Sequence, residues 1–336
     1  MNLTKDVLLT LNRIKAIACS RLRTDRAWNK PTNAIFEMSS RCILKCPLCN
    51  TGGLSDRFPH VRRGDMSFET FRAGLDKLLP ELGQVLLYNW GEPFLNKDLF
   101  RCIEYAHRHD VRTQMSSNMM LYTEGNGLKL LDSGLTKLIV SADGLTQESY
   151  GRYRKGGDLS KVVAAVENMV RLKRERGTGF PLIEMQFIVF RHNEREMDAY
   201  RRSWLTKGVD AVNFIRMSYM SKEGRKVADD MELAPVHPDY QPHHPYGKMN
   251  RCSELYYHVS IDYNGDWYTC CFPSGDPAYR VGNIVRDDFW SVWNGTDYRY
   301  FRRLLRTRRT VCGHRETMCH DCVGIFPENA ARRYWA

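Results

Sequence analysis

Residues 41–50 read Arg-Cys-Ile-Leu-Lys-Cys-Pro-Leu-Cys-Asn, so that Cys42, Cys46 and Cys49 share one short stretch of chain. Three thiolates on one tight loop suit three corners of an iron-sulfur cubane and leave its fourth iron without a protein ligand. A structural zinc ion would need a fourth ligand nearby, and the nearest histidine, His60, lies in an expected loop. The spacing therefore favours a cubane with one open iron, with a zinc site as the alternative.

The chain around this loop alternates between short apolar runs and segments with helical periodicity. The expected strands are 34–38, 84–89, 112–116, 137–141, 183–190 and 211–216. Between two of them, residues 159–170 repeat apolar side chains at the helical period. Such alternation is typical of βα units around a parallel sheet and predicts an α/β fold. Six units are fewer than the eight of a complete barrel, so we expect a partial (β/α)6 TIM-like barrel.

Polar motifs follow several of the expected strands. Gly91-Glu92-Pro93 comes after the second strand, Ser116-Ser117-Asn118 ends the third, and Ser141-Ala142-Asp143-Gly144 ends the fourth. Barrel enzymes build their active sites from the carboxyl ends of the strands. We therefore expect these motifs to gather at the same end of the barrel as the cysteine loop.

The spacing Cys-x3-Cys-x2-Cys after a first strand, followed by Gly-Glu-Pro, resembles the signature of the radical S-adenosylmethionine (SAM) superfamily. The resemblance implies a [4Fe-4S] cluster on the three cysteines and SAM bound beside it, with Glu92 at the methionyl amine. We further expect Arg154 to pair with the SAM carboxylate and Gln186 to reach the ribose. The SAM-binding residues expected from the resemblance and its motifs are Gly91, Glu92, Pro93, Asn118, Ser141, Asp143, Arg154 and Gln186.

A second cysteine set occupies the C-terminal part. Asn264-Gly265 separates two β-rich runs and is a strong hairpin signal. The pattern resembles the SPASM/twitch extension of radical SAM enzymes, which holds auxiliary iron-sulfur clusters. The cysteines that the resemblance assigns to one auxiliary [4Fe-4S] cluster are Cys252, Cys270, Cys319 and Cys322. Cys312 is a possible substitute ligand, Cys271 is expected to be a buried thiol, and zinc on the same residues is the alternative.

These features divide the chain into four parts: an amphipathic helix in 1–32, the radical SAM barrel in 33–220, a linker or active-site loop in 221–250, and the auxiliary-cluster module in 251–336. The first helix carries Leu3, Val7, Leu8, Leu11 and Ile14 at helical spacing. We expect this apolar face to pack against the body of the protein rather than on a membrane.

Composition restricts the compartment and the partners. The chain has a formal net charge of +11, which suggests an anionic partner. It lacks both a long uncharged apolar run and a signal-peptide pattern, so we expect a cytoplasmic protein whose cysteines are reduced. Basic residues are scattered rather than interleaved with aromatics, so nucleic acid is not an expected partner. Membrane association is not expected either.

The resemblance implies reductive cleavage of SAM to a 5′-deoxyadenosyl radical, which abstracts hydrogen from an unactivated carbon. The resemblance also implies an external electron donor such as flavodoxin or ferredoxin. The resemblance to twitch enzymes favours oxidation (dehydrogenation) of a small-molecule substrate of the sugar, aminocyclitol or nucleoside type, and the positive net charge suggests an anionic one. The alternative is a peptide-modifying SPASM enzyme (a RiPP maturase), which we rank second because the residues before the first strand are too few for a leader-binding domain. A non-enzymatic iron-sulfur protein that binds nucleic acid or senses redox state is a remote alternative.

Overall fold

A computed structural model of the chain describes residues 3–59, 61–218, 222–241, 252–271 and 274–307. Six parallel strands form the barrel sheet: β1 (Asn33–Phe36), β2 (Gln84–Leu86), β3 (Arg112–Ser117), β4 (Lys137–Ser141), β5 (Leu182–Val189) and β6 (Ala211–Arg216). They pair in sequence order, each parallel to the next. The predicted α/β partial barrel with six strands is confirmed.

The chain also forms helices, several of which cover the outer face of this sheet. They are α1 (Leu3–Leu22), α2 (Phe68–Leu78), α3 (Leu99–Arg108), α4 (Glu124–Asp132), α5 (Gln147–Tyr153), α6 (Leu159–Glu175), α7 (Met197–Lys207), α8 (Lys222–Asp230), α9 (Glu254–Tyr257), α10 (Phe289–Trp293) and α11 (Thr296–Thr307). Local signals begin several of them: Ser67, Thr123 and Asp158 accept backbone N–H bonds at the starts of α2, α4 and α6. The sequence predicted no helix at α8, because this short element is mostly charged. In the structure its Ala228 lies among apolar side chains.

The two faces of the strands differ in chemistry, as the period of a strand requires. Phe36, Val85 and Met115 point outward into the apolar core beneath the helices. On the inner face, Gln114 donates a hydrogen bond to Tyr88 Oη at 2.9 Å. The outer face therefore stabilises the fold, and the polar inner face is left for chemistry.

The C-terminal module begins as an extension of the barrel sheet. Strand β7 (His258–Ile261) lies parallel to β1, and β8 (Asp266–Tyr268) and β9 (Gly282–Asn283) follow in antiparallel pairs. The turn around Asn264-Gly265 joins β7 to β8, which confirms the predicted hairpin. Pairing between β1 and β7 was not predicted, because the two strands are far apart in the chain and carry no local signal for it.

One buried arginine contacts several segments of this module. Arg302 is fully buried and donates hydrogen bonds to the carbonyl oxygens of Leu255 and Trp293. Its guanidinium also lies over the rings of Trp293 and Tyr298. Burial lowers the pKa of Arg302 to about 10. The carbonyl and ring contacts compensate for the burial of this charge.

Helix α1 confirms the predicted element but corrects its orientation. The side that faces the body mixes apolar and polar side chains: Ala16 and Cys19 are buried there, and Asn12 donates to the carbonyl oxygens of Lys30 and Glu81, just before β1 and β2. Of the apolar side chains expected to pack inward, Val7, Leu8, Leu11 and Ile14 are exposed, Leu11 and Ile14 with 49% and 56% of their surface in solvent. Among the described residues, no helix is both long and apolar enough to cross a membrane.

Candidate functional site

The cysteine loop leaves the carboxyl end of β1 and folds back tightly on itself. The amides of Cys49 and Gly53 donate to the carbonyl oxygen of Cys46 at 3.1 and 2.9 Å. A side chain at Gly52 would come within 2.8 Å of the backbone of Cys46, and one at Gly53 would come within 2.8 Å of Pro47. The two glycines therefore allow the close approach that curls the loop around its cysteines.

Each of the three thiols meets a different part of the barrel. Asn118 Nδ2 lies 3.6 Å from Cys42 Sγ, Arg154 Nη1 lies 3.9 Å from Cys46 Sγ, and Cys49 Sγ lies 3.7 Å from a backbone carbonyl oxygen. Within the described parts of the chain, no three Cys, His, Asp or Glu side chains are grouped as ligands of a single metal ion. A cubane binds each thiolate through a separate iron, and three thiols on one loop leave its fourth iron without a protein ligand.

Burial raises the pKa of all three thiols, that of Cys49 to about 12. Iron ligation requires thiolates, so cluster assembly displaces protons from this loop. Two buried polar atoms nearby, Asn50 Oδ1 and Trp90 Nε1, have no hydrogen-bond partner within the described residues. The donor set and these two atoms fit a [4Fe-4S] cluster with a polar ligand beside it.

Gly91-Glu92-Pro93 lies against the start of the cysteine loop. A Cβ at Gly91 would approach the carbonyl oxygen of Ser39 to 1.9 Å, so only glycine fits there. Glu92 is almost completely buried, and its carboxylate accepts from Ser117 Oγ at 2.8 Å and from the Asn118 amide at 2.9 Å. Glu92 thus fixes the end of β3 and keeps acceptor capacity for a cationic amine. Its role at the SAM amine stays a prediction.

Asp143 and Arg154 form a buried ion pair beside the cluster loop. Arg154 Nε donates to Asp143 Oδ2 at 2.5 Å, and the other carboxylate oxygen accepts from the Ile188 amide at 2.7 Å. Asp143 is completely buried, and the Arg154 side chain is 13% exposed. Burial raises the pKa of Asp143, and Arg154 opposes that shift. The pair aims a guanidinium at the cysteine loop, where an anionic group of a ligand would be held.

Ser141 and Gln186 face each other on paired strands next to this ion pair. Ser141 is the register partner of Gln186, and its hydroxyl lies 3.2 Å from that of Ser116. The structure therefore brings the SAM-binding residues predicted from the sequence to one end of the barrel. Their contacts with SAM stay predictions.

One acidic residue of the site was missed from the sequence. Glu37 follows β1 and is buried, and its carboxylate accepts from the Trp90 amide at 3.0 Å. Burial, together with the nearby carboxylate of Asp262, raises the pKa of Glu37 to about 8. A carboxylate ending an apolar strand was the available signal. Glu37 connects the Gly-Glu-Pro segment with the hairpin of the C-terminal module.

The auxiliary ligands are only partly described. Cys252 precedes α9, and Cys270 and Cys271 follow β8. Cys271, expected to be buried, is partly exposed, and its carbonyl oxygen accepts from Asn89 Nδ2 at 3.0 Å. The remaining predicted ligands, Cys319 and Cys322, and the possible substitute Cys312 lie outside the described residues. Through the Cys271 carbonyl, the segment that follows β8 contacts the loop between β2 and Gly91-Glu92-Pro93.

Comparison with known proteins agrees with this geometry. The Radical SAM superfamily matches residues 36–198, and the SPASM iron-sulfur cluster-binding domain matches residues 252–323. Mycofactocin maturase MftC of Mycobacterium tuberculosis (strain ATCC 25618 / H37Rv) is 22% identical over 89% of this chain and 80% of its own length. Fe-coproporphyrin III synthase of Methanosarcina barkeri is 25% identical over 61% of this chain and 49% of its own length.

The fold is also found among solved structures. Streptococcus suis SuiB bound to S-adenosylmethionine has a TM-score of 0.63 and 15% identity, with 94% of this chain and 76% of SuiB covered. The two family matches give the cofactors: a [4Fe-4S] cluster and SAM at the barrel, and auxiliary iron-sulfur binding in the SPASM domain. This chain belongs to the radical SAM superfamily and is an enzyme with a C-terminal SPASM iron-sulfur domain.

Proposed function

We propose that this enzyme modifies a peptide. The supporting observation is coverage: similarity to the mycofactocin maturase of Mycobacterium tuberculosis spans 89% of this chain, whereas similarity to Fe-coproporphyrin III synthase spans 61%. The maturase match therefore extends over most of the chain, beyond the barrel. Peptide modification was our second expectation, and it now ranks above oxidation of a sugar, aminocyclitol or nucleoside.

The inner face of the barrel carries both hydrogen-bond donors and hydrogen-bond acceptors, which supports this proposal. Lys137 Nζ lies 2.7 Å from Glu184 Oε2, and Asn213 Nδ2 donates to the other oxygen of Glu184 at 3.4 Å. Tyr88, just after β2, and Gln114, on β3, provide a hydroxyl and an amide. Donors and acceptors of this kind bind the amide groups of a peptide.

The shape of the sheet is also suitable for a chain substrate. In the described residues, β6 and β9 are the two edges of the nine-stranded sheet, so no strand pairing closes the barrel between them. The open side admits a peptide that is longer than the barrel interior. One residue of that peptide is then placed beside SAM.

The protein residues bind and orient the reactants in this proposal. When bound, the cluster and SAM supply a 5′-deoxyadenosyl radical that removes a hydrogen atom from carbon. Cys42, Cys46 and Cys49 hold the cluster. Arg154, oriented by its carboxylate partner, holds the SAM carboxylate, and Glu92 accepts from the SAM amine. The remaining expected contacts are those of Gly91, Pro93, Asn118, Ser141, Asp143 and Gln186.

We assign one auxiliary [4Fe-4S] cluster to the C-terminal cysteines, with electron transfer from the substrate radical as its role. The SPASM match contains Cys252, Cys270, Cys319 and Cys322. Two clusters correspond to about eight irons and eight sulfides per chain. A zinc site would instead give about four irons and one zinc, and a second auxiliary cluster would give about twelve irons. Iron, sulfide and zinc analysis of anaerobically reconstituted protein separates these results.

Substrate assays test the peptide proposal. Reconstituted enzyme, SAM and dithionite are incubated with short peptides encoded beside the gene, and in parallel with a panel of aminocyclitols and nucleosides. We expect a peptide to raise 5′-deoxyadenosine formation and to change in mass, with no change when the Cys42/Cys46/Cys49 triple alanine variant is used. Turnover of a small molecule, with no peptide modified, would contradict the proposal.

A further inference from the structure

Helix α1 carries an apolar stripe that the body of the protein does not cover. Val7, Leu11, Ile14, Ala18 and Leu22 recur at intervals of three or four residues and therefore share one face. Val7 is 51% exposed, Ile14 56% and Leu22 66%. Leu8 and Ile17, which border the stripe, are also exposed. A contiguous exposed stripe of large aliphatic side chains is uncommon on a protein surface and indicates a binding surface.

The stripe lies at the end of the barrel opposite the SAM site. The carbonyl oxygens that fix Asn12 belong to Lys30 and Glu81, and Gly83 lies against Arg13 of the same helix. These residues immediately precede β1 and β2, so α1 crosses the amino ends of the strands. The catalytic motifs follow the carboxyl ends.

Other exposed apolar side chains occur at this same end. Phe180 and Leu182 lie at the start of β5 and are 55% and 42% exposed. Leu205, in the last turn of α7 before β6, is 47% exposed. Since the six strands are parallel, these positions belong to the same end of the sheet as α1.

The charge around the stripe is positive. Residues 3–26 contain six lysines and arginines and two aspartates. Lys15 and Arg21 are exposed on α1, and Arg108 and Arg112 are exposed at the end of α3 and the start of β3. Asp6 and Asp110 also lie at this end and only partly offset the positive charge. Pairing with a second copy of the chain would bring two such positive faces together, which is unfavourable.

We propose that α1 docks the enzyme onto an anionic phospholipid bilayer, with the apolar stripe in the interface and the basic side chains at the headgroups. An amphipathic helix with basic residues beside its apolar face binds membranes in this way without spanning them. The orientation leaves the carboxyl end of the barrel, with its SAM site, directed away from the lipid.

Vesicle flotation of the reconstituted full-length enzyme tests this. Vesicles of phosphatidylcholine alone are compared with vesicles that also contain phosphatidylglycerol, at low and high salt. The test variant is Leu11→Gln/Ile14→Gln, and the matched control is Val236→Gln/Val285→Gln, which changes two exposed apolar residues elsewhere. All charges are kept in both variants.

We expect the wild type and the control to float with phosphatidylglycerol vesicles and to be released by salt. The test variant should bind at least about tenfold more weakly, with unchanged circular dichroism and unchanged 5′-deoxyadenosine formation. Absence of flotation of the wild type, or equal flotation of the wild type and the test variant, would overturn the proposal. A wild-type dimer in light scattering that the test variant makes monomeric would identify a second copy as the occupant and would also overturn it.

Discussion

Replacement of Arg154 by methionine should destabilise the protein, because it leaves the Asp143 carboxylate buried without its ionic partner. Asp143 has no exposed surface, and after the change one carboxylate oxygen still accepts only the Ile188 amide. Removal of one partner of a buried ion pair costs about 3–5 kcal/mol. Asp143 can take up a proton instead of staying charged, so we expect about 3 kcal/mol near neutral pH and less in acid.

A double-mutant cycle isolates this contribution. Asp143→Asn/Arg154→Met removes both charges and should recover about 2 kcal/mol of the loss, because no uncompensated charge remains. Urea unfolding of the cluster-free protein measures each variant. A loss below about 1 kcal/mol for Arg154→Met, or no recovery in the double variant, would refute the assigned role of the ion pair.

SAM binding to the reconstituted variants then separates structure from ligand contact. If Arg154 holds the SAM carboxylate, Arg154→Met should weaken SAM binding by about tenfold or more, and the double variant should not restore it. Restored SAM affinity together with restored stability would mean that Arg154 acts only on the fold.

Three further predictions address the site and the C-terminal module. Glu92→Ala should weaken SAM binding while leaving the iron content nearly intact, and loss of the cluster would show that this segment is structural. Folded Glu37 keeps its proton up to about pH 8, whereas the unfolded chain loses it near 4.5, so the free energy of unfolding should fall by up to about 1.4 kcal/mol per pH unit between these values. Glu37→Gln should remove that slope in urea titrations at several pH values, and identical slopes would contradict the assignment. Arg302→Met should lower the free energy of unfolding by about 2–4 kcal/mol in the same assay, since buried carbonyl acceptors lose their donor, and a change below about 1 kcal/mol would contradict this.

The barrel strands and the site motifs were predictable because their signals are local. Apolar runs followed by Gly91-Glu92-Pro93 or by Asp143 fix both an element and the end at which its polar residues lie. The hairpin at Asn264-Gly265 was predictable for the same reason. Each of these predictions needed only neighbouring residues.

Features that depend on contacts between distant segments were not predictable. The pairing of β7 with β1, and the position of Glu37 beside the Trp90 amide, depend on how the chain closes. The orientation of α1 was predicted wrongly, because periodicity shows that a helix has two faces but not which face meets the body. Asn12, which bonds to two carbonyl oxygens, and the buried Ala16 and Cys19 mark the side of α1 that faces the body.

Formation of 5′-deoxyadenosine by the Cys42→Ala/Cys46→Ala/Cys49→Ala variant is the most direct test of the central claim. Wild-type enzyme, reconstituted anaerobically and reduced with dithionite, should convert SAM to 5′-deoxyadenosine and methionine. The triple variant should form none, because three of the four cubane corners have lost their ligands. It should retain about four irons in the C-terminal module, which would show that the protein is folded. Continued cleavage of SAM by this folded variant would contradict the assignment of the cysteine loop as the catalytic cluster site.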